Sequence, residues 1–126
     1  MKIISISLCA NEADIIETFV RYTLSFADEM HICLNNSTDN TVLILQKMQE
    51  EGLPLIIENE GIANFTQEES TNRLKEQALE RGADLIVPLD CDEFPMAAAN
   101  EPEKNPRKLF ERLHERTSVM IILGFR

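Results

Sequence analysis

Short, nearly continuous apolar runs alternate along this chain with longer stretches in which apolar residues return every three or four positions. Ile3, Ile4, Ile6 and Leu8, with Ser5 and Ser7 between them, suit a strand covered on both faces. Asn11-Glu12-Ala13-Asp14 offers a capping residue with an acid three positions on. Ile15, Ile16, Phe19, Val20 and Leu24 continue at helical spacing, which predicts a helix over about residues 12–26. Met30 to Leu34 is a second strand, opening into the turn-rich Asn35-Asn36-Ser37-Thr38-Asp39-Asn40-Thr41. Val42, Leu45 and Met48 predict the next helix, stopped at Gly52 with Pro54 beyond.

The same alternation repeats to the end. Leu55-Ile56-Ile57-Glu58 reads as a third strand, followed by a loop through Gly61 and a capping box at Thr66-Gln67-Glu68-Glu69 that starts a helix ending near Arg81-Gly82. Leu85 to Leu89 is a fourth strand, in which Pro88 removes a ladder donor and points to a strand end or an edge. Pro95, Pro102 and Pro106 mark an irregular connection, and Asn105-Pro106 caps a helix carrying Leu109, Phe110 and Leu113 before a last strand at Val119 to Leu123. Strands alternating with helices predict a single α/β domain over 1–126, a three-layer Rossmann-like arrangement on a mainly parallel sheet. Ligands of such sheets sit beyond the carboxyl ends of the strands, so the clusters after the first, second and fourth strands are expected to converge.

Composition narrows the function classes. With 22 acidic against 12 basic residues the formal charge is −10, which repels polyanions and argues against a nucleic-acid or anionic-membrane surface. A nucleotide held through a metal ion is still allowed, because the cation reverses the local sign. The apolar start is short, broken by two serines and lacks an export-type cleavage site, and no stretch reaches the roughly 20 apolar residues of a membrane span. A cytoplasmic protein is expected. Cys9, Cys33 and Cys91 are widely spaced, so neither zinc nor a disulfide framework is expected, and Cys9 and Cys33 read as small buried hydrophobes. His31 and His114 have no ligand-type spacing and read as structural or exposed.

The chemistry concentrates in Asp90-Cys91-Asp92-Glu93-Phe94. A strand that stays extended past Leu89 would point Asp90 and Asp92 the same way, presenting two carboxylates to one hard cation. The plainer reading is that acids solvate the exit of a buried strand. Neither a Gly-x-x-x-x-Gly-Lys-Ser/Thr phosphate loop nor a Gly-x-Gly-x-x-Gly turn occurs, which disfavours nucleoside triphosphatases and dinucleotide enzymes.

Taken together, Asn11-Glu12, Ser37-Thr38-Asp39-Asn40-Thr41, the Asn72-containing helix and Ala83-Asp84-Leu85-Ile86-Val87-Pro88-Leu89-Asp90-Cys91-Asp92-Glu93-Phe94 resemble the nucleotide-sugar half of family 2 glycosyltransferases with the GT-A fold. The resemblance covers most of residues 1–94. It implies a divalent cofactor, Mn or Mg, and a nucleotide-sugar donor such as a UDP-sugar, with Asp90 and Asp92 contacting the metal and the sugar diphosphate. Asn11 and Glu12 would line the nucleotide pocket, although Asn11 equally suits a helix cap. Asp39 and Thr41 read as caps of the second helix. Arg73 would reach a phosphate or base edge, or else be a solvated surface residue, and Glu93 would orient the site or face water. Where the family often has an acidic pair before the Ser-Thr-Asp turn, this chain has Leu34-Asn35, so the carboxylate contact to the base would be missing or replaced by the Asn35 amide. The acceptor-binding half and its general base are expected to be lacking, and the acceptor is unknown.

Two other classes compete. A binding or assembly module on the same fold would use the Val119 to Leu123 edge to pair with another chain, giving a homo-oligomer. Haloacid-dehalogenase-like phosphatases also place Asp-x-Asp at a strand end, but after the first strand.

Overall fold

The computed structural model describes residues 1–35, 38–59, 66–97, 99–116 and 121–122. The strands are β1 (Ile3–Cys9), β2 (Glu29–Leu34), β3 (Leu55–Asn59), β4 (Leu85–Pro88) and β5 (Ile121–Ile122). The helices are α1 (Ile16–Thr23), α2 (Thr41–Glu50), α3 (Gln67–Glu80) and α4 (Pro106–Arg116). All strand pairs are parallel, in the order β3-β2-β1-β4-β5. The expected α/β, Rossmann-like three-layer fold is therefore present.

Strand periodicity sorts the core into two layers. Ile3 and Cys9 of β1, Met30, Ile32 and Leu34 of β2, and Leu85 and Val87 of β4 pack with Ile16, Phe19 and Val20 of α1, Leu45 and Met48 of α2, and Phe110 of α4. The alternate positions Ile4, Ile6, Cys33 and Ile86 pack with Leu74 and Ala78 of α3 on the opposite face. Leu74 and Ala78, a thin stripe in sequence, suffice because the strand side chains beneath them are large. Cys33 is buried as expected.

The helix starts and stops follow local chemistry. Thr66 accepts from the Glu69 N–H at 3.1 Å, as the capping box predicts, and Asn105 accepts from Arg107 N at 3.0 Å just ahead of α4. Gly52 and Gly82 take φ of 97° and 84° just past α2 and α3, the left-handed conformation that glycine adopts without strain. Among the described residues no helix is long and apolar enough to cross a membrane.

Three expectations need correction. α1 begins at Ile16, not near residue 12, because Asn11 sits at φ 54° and the chain makes a turn in which Ile15 and Ile16 donate to the Glu12 carbonyl. β4 stops at Pro88. Cys9 is more than a buried hydrophobe: it is disulfide-bonded to Cys91, with the Cα atoms 6.1 Å apart. Spacing along the chain concealed this pair, which is 82 residues apart but lies at the ends of neighbouring strands. Of the predicted last strand, Ile121–Ile122 pairs with β4, while residues 119, 120 and 123 lie outside the described residues, as do the Gly61 loop and Asn36-Ser37.

Candidate functional site

Two crossovers carry the chain outward from β1 through β2 to β3, and the third returns it across the sheet to β4. The connections from β1 and β4 therefore leave in opposite directions. That split between adjacent strands is where open α/β sheets form their ligand crevice. The ladders on its two sides are unequal. β1 pairs with β2 as far as Cys9 opposite Leu34, continued by Asn35 N to the Cys9 carbonyl at 3.0 Å. Against β4 the register ends at Ile6 opposite Pro88, with Leu89 N donating to the Ile6 carbonyl at 3.0 Å.

Beyond Leu89 the chain does not stay extended. Glu93 N donates to the Asp90 carbonyl at 2.9 Å, and Asp90 N donates to Glu93 Oε1 at 2.7 Å, which closes a reverse turn over 90–93. The extended geometry expected to align Asp90 with Asp92 is thus replaced by a turn, in which Asp90 and Asp92 are exposed and Cys91 between them is buried. Two anchors hold it. Cys91 is bonded to Cys9, and the Phe94 ring packs edge-on against Phe19 and Tyr22 of α1, with centroids 6.0 and 5.3 Å away. The Tyr22 hydroxyl also donates to the Pro95 carbonyl.

The loops after β1 and β2 are stitched to each other. Asn11 Oδ1 accepts from Thr38 N at 2.8 Å and Asp39 N at 3.3 Å. Glu12 N donates to Thr41 Oγ1 at 3.0 Å, Ala13 N to Asp39 Oδ2 at 3.1 Å, and Thr41 N to Asp39 Oδ1 at 3.0 Å. Asn11 therefore joins two loops instead of capping α1. Asp39 does serve the start of α2, and the Thr41 hydroxyl that donates to it draws its carboxyl below the usual range. Sequence reasoning missed this bracing role of Asp39 and Thr41, because it crosses between loops that only the sheet brings together.

The electrostatics of this edge are one-sided. Partial burial pushes the Glu12 carboxyl above its ordinary range, and the charges of Asp14, Asp92 and Asp39 push it further. Glu12 and Asp92 are thus brought within electrostatic reach of each other. Among the described residues, no lysine or arginine pairs with Glu12, Asp14, Asp39, Asp90, Asp92 or Glu93. Asp90 and Glu93 also border a cleft of about 100 Å³ on the α3 side, walled by Leu8, Gln67, Thr71 and Leu89. Gln67 stood out only as part of the capping box, and Thr71 carried no motif.

The remaining predicted residues lie further round the edge. Asn35 is exposed at the end of β2, beside Cys9 through its backbone bond. Arg73 Nη2 donates to Glu58 Oε2 at 2.8 Å, so its guanidinium is tied to the end of β3 instead of lying free in solvent. The donors near the turn are carboxylate oxygens, which suit a hard divalent ion. Among the described residues no three His, Cys, Asp or Glu side chains gather into a cage. An ion here would take one or two carboxylates and complete its shell with phosphate oxygens and water, as Mg²⁺ does. No protein-family model matches the chain, and no curated protein matches it.

Proposed function

We propose that this domain binds a nucleotide-sugar donor in the manner of family 2 glycosyltransferases, with the diphosphate held through a divalent ion at Asp90 and Asp92. The observation that carries the reading is the acidic edge at the split between β1 and β4, where Glu12 lies within electrostatic reach of Asp14, Asp39 and Asp92 and no lysine or arginine among the described residues pairs with them. Like charges held this close call for a cation, and a metal diphosphate supplies one while filling the crevice. Bound there, the ion would neutralise charge developing on the departing nucleoside diphosphate. The turn carrying Asp90 and Asp92 is fixed at both ends, so the carboxylates are oriented before the donor arrives. Asn11, Glu12 and Asn35 would border the base and ribose, with Arg73 at the β3 side. A haloacid-dehalogenase-like phosphatase is disfavoured because the acidic turn follows β4 and not β1.

Calorimetric titration with UDP tests the reading. Binding is expected to require Mn²⁺ and to weaken at least about tenfold in Asp92→Ala, an exposed position whose replacement leaves the core intact. Binding without metal, or equal binding by both proteins, would overturn it.

A further inference from the structure

The Cys9–Cys91 bond lies where main-chain pairing between β1 and β4 has ended. The last rung is Leu89 N to the Ile6 carbonyl, and the disulfide is the next link across the split, one residue before Asp92. Both sulfurs belong to the core layer shared with α1, and the two residues are only 3% and 4% exposed. Cys33 is buried in the opposite layer, under α3, so it cannot exchange with this pair without unfolding. The covalent link opposes a specific force: Asp92 is held within electrostatic reach of Glu12, which also faces Asp14 and Asp39, with no lysine or arginine among the described residues paired with these acids to offset the repulsion. Lasting disulfides are rare in reducing compartments, where those that occur are mainly transient or redox-responsive.

We propose that Cys9–Cys91 is a redox latch on the Asp90–Glu93 turn: oxidised, it holds the acidic turn against the ends of β1 and β2, and reduction releases it. A dithiol reductant attacks one sulfur to give a mixed disulfide, and its second thiol then displaces that sulfur. Two electrons and two protons pass to the protein, leaving two cysteine thiols and the reductant as a cyclic disulfide. Because both sulfurs are buried, attack follows opening of the turn, so a ligand that binds the closed turn slows reduction. This last consequence and the expected loss of Mn²⁺ affinity rest on the donor-site reading, and the latch itself does not. The fold itself persists in the reduced state, since the thiols stay in the core as small apolar groups and Phe94 keeps its place against α1.

The test compares oxidised protein, dithiothreitol-reduced protein and the Cys9→Ala/Cys91→Ala variant. Alkylation under denaturing conditions verifies one thiol in the first and three in the second. Hydrogen exchange of residues 89–94 is expected to quicken, in the reduced protein and in the variant, at least tenfold more than that of the β1 and β2 amides, whose protection drops only with the lower global stability, and Mn²⁺ affinity to fall at least tenfold. Unchanged exchange over 89–94 overturns the latch. So does an equal acceleration in β1 and β2, which would make the bond a structural staple. If the oxidised protein binds neither Mn²⁺ nor UDP while the exchange contrast is intact, the donor-site reading falls and the latch stands.

Discussion

The two ends of the sheet handle charge in opposite ways. At the amino edge Asp28, Glu29 and Asp84, at the starts of β2 and β4, are each answered. Asp28 Oδ2 accepts from Ile3 N at 2.8 Å and Arg107 Nη1 at 3.1 Å, Asp84 accepts from Lys2 N at 2.7 Å, and Glu29 is paired with Lys2 at 2.7 Å and Arg81 at 2.5 Å. Burial alone would raise the Glu29 carboxyl, but hydrogen bonds from Arg81, Lys2 and the buried His31 outweigh it and hold it at about 2. At the carboxyl edge, acids face acids and Glu12 is pushed upward. An edge that neutralises its charges stabilises the fold. One that leaves them unanswered has given up stability for something else, and a cationic ligand is the economical explanation.

The largest effect expected is on the covalent link that holds the strained edge together. Cross-linking positions 82 residues apart removes much of the freedom of the unfolded chain, so reduction should lower unfolding free energy by about 4 kcal/mol. Chemical denaturation with and without dithiothreitol measures it. A loss well under 1 kcal/mol would mean that the acidic loops hold themselves, and the contrast between the ends would lose its main support.

Next in size is the neutralised edge. Glu29→Ala leaves Lys2, Arg81 and the buried His31 without their shared acceptor. It should cost about 2–3 kcal/mol, somewhat less than breaking a fully buried pair because Lys2 and Arg81 remain partly in water. A change in denaturation midpoint within error of the parent would show that water replaces the carboxylate there without penalty.

The contrast between the edges was only half legible in the sequence. Strand and helix order followed from periodicity, because Ile3 to Ser7 and Met30 to Leu34 are buried on both faces and read as mainly apolar, while Leu55 to Ile57 stand out as an apolar run although only Leu55 of the edge strand is fully buried. The site's position followed from the rule for parallel sheets. Its shape did not: Asp favours turns over strands, a preference that aligning Asp90 and Asp92 as ligands on an extended strand sets aside, and hydrogen bonds between Asp90 and Glu93 close the turn. The Cys9–Cys91 pair had a visible signal: with β1 and β4 as neighbours, one cysteine closes a strand and the other follows one. Spacing rules, which look for cysteines close in sequence, pass over such a pair. Asn11 and Arg73 were legible as polar but not as partners of the Thr38-Asp39 loop and of Glu58, since both contacts depend on the crossovers.

Smaller still is removal of one charge from the crowded edge. Asp92→Asn should leave stability unchanged or raise it by roughly 0.5 kcal/mol, because it relieves repulsion at an exposed position. The same substitution should abolish the rise in melting temperature that Mn²⁺ with UDP gives the parent. A clear destabilisation by Asp92→Asn would place Asp92 among the structural acids with Glu29.

The finest test is pH, because the two edges respond with opposite sign in adjacent windows. Glu29 binds its proton more weakly folded than unfolded. Its contribution is complete above its ordinary value of 4.5 and is lost as pH falls towards its folded value of about 2. Glu12 binds its proton more tightly folded, so its ionisation carries a penalty at neutral pH. That penalty disappears as pH falls through its raised value towards 4.5, and stability gains there. Stability measured against pH should therefore show a small rise on acidification before a steeper fall. Glu12→Gln should flatten the rise alone, and Glu29→Gln the fall alone, since the two residues lie at opposite ends of the sheet and their effects should add. Mn²⁺ with UDP should also remove the rise, because a bound cation takes over the neutralising role of the proton on Glu12. Persistence of the rise with ligand bound would separate Glu12 from the site.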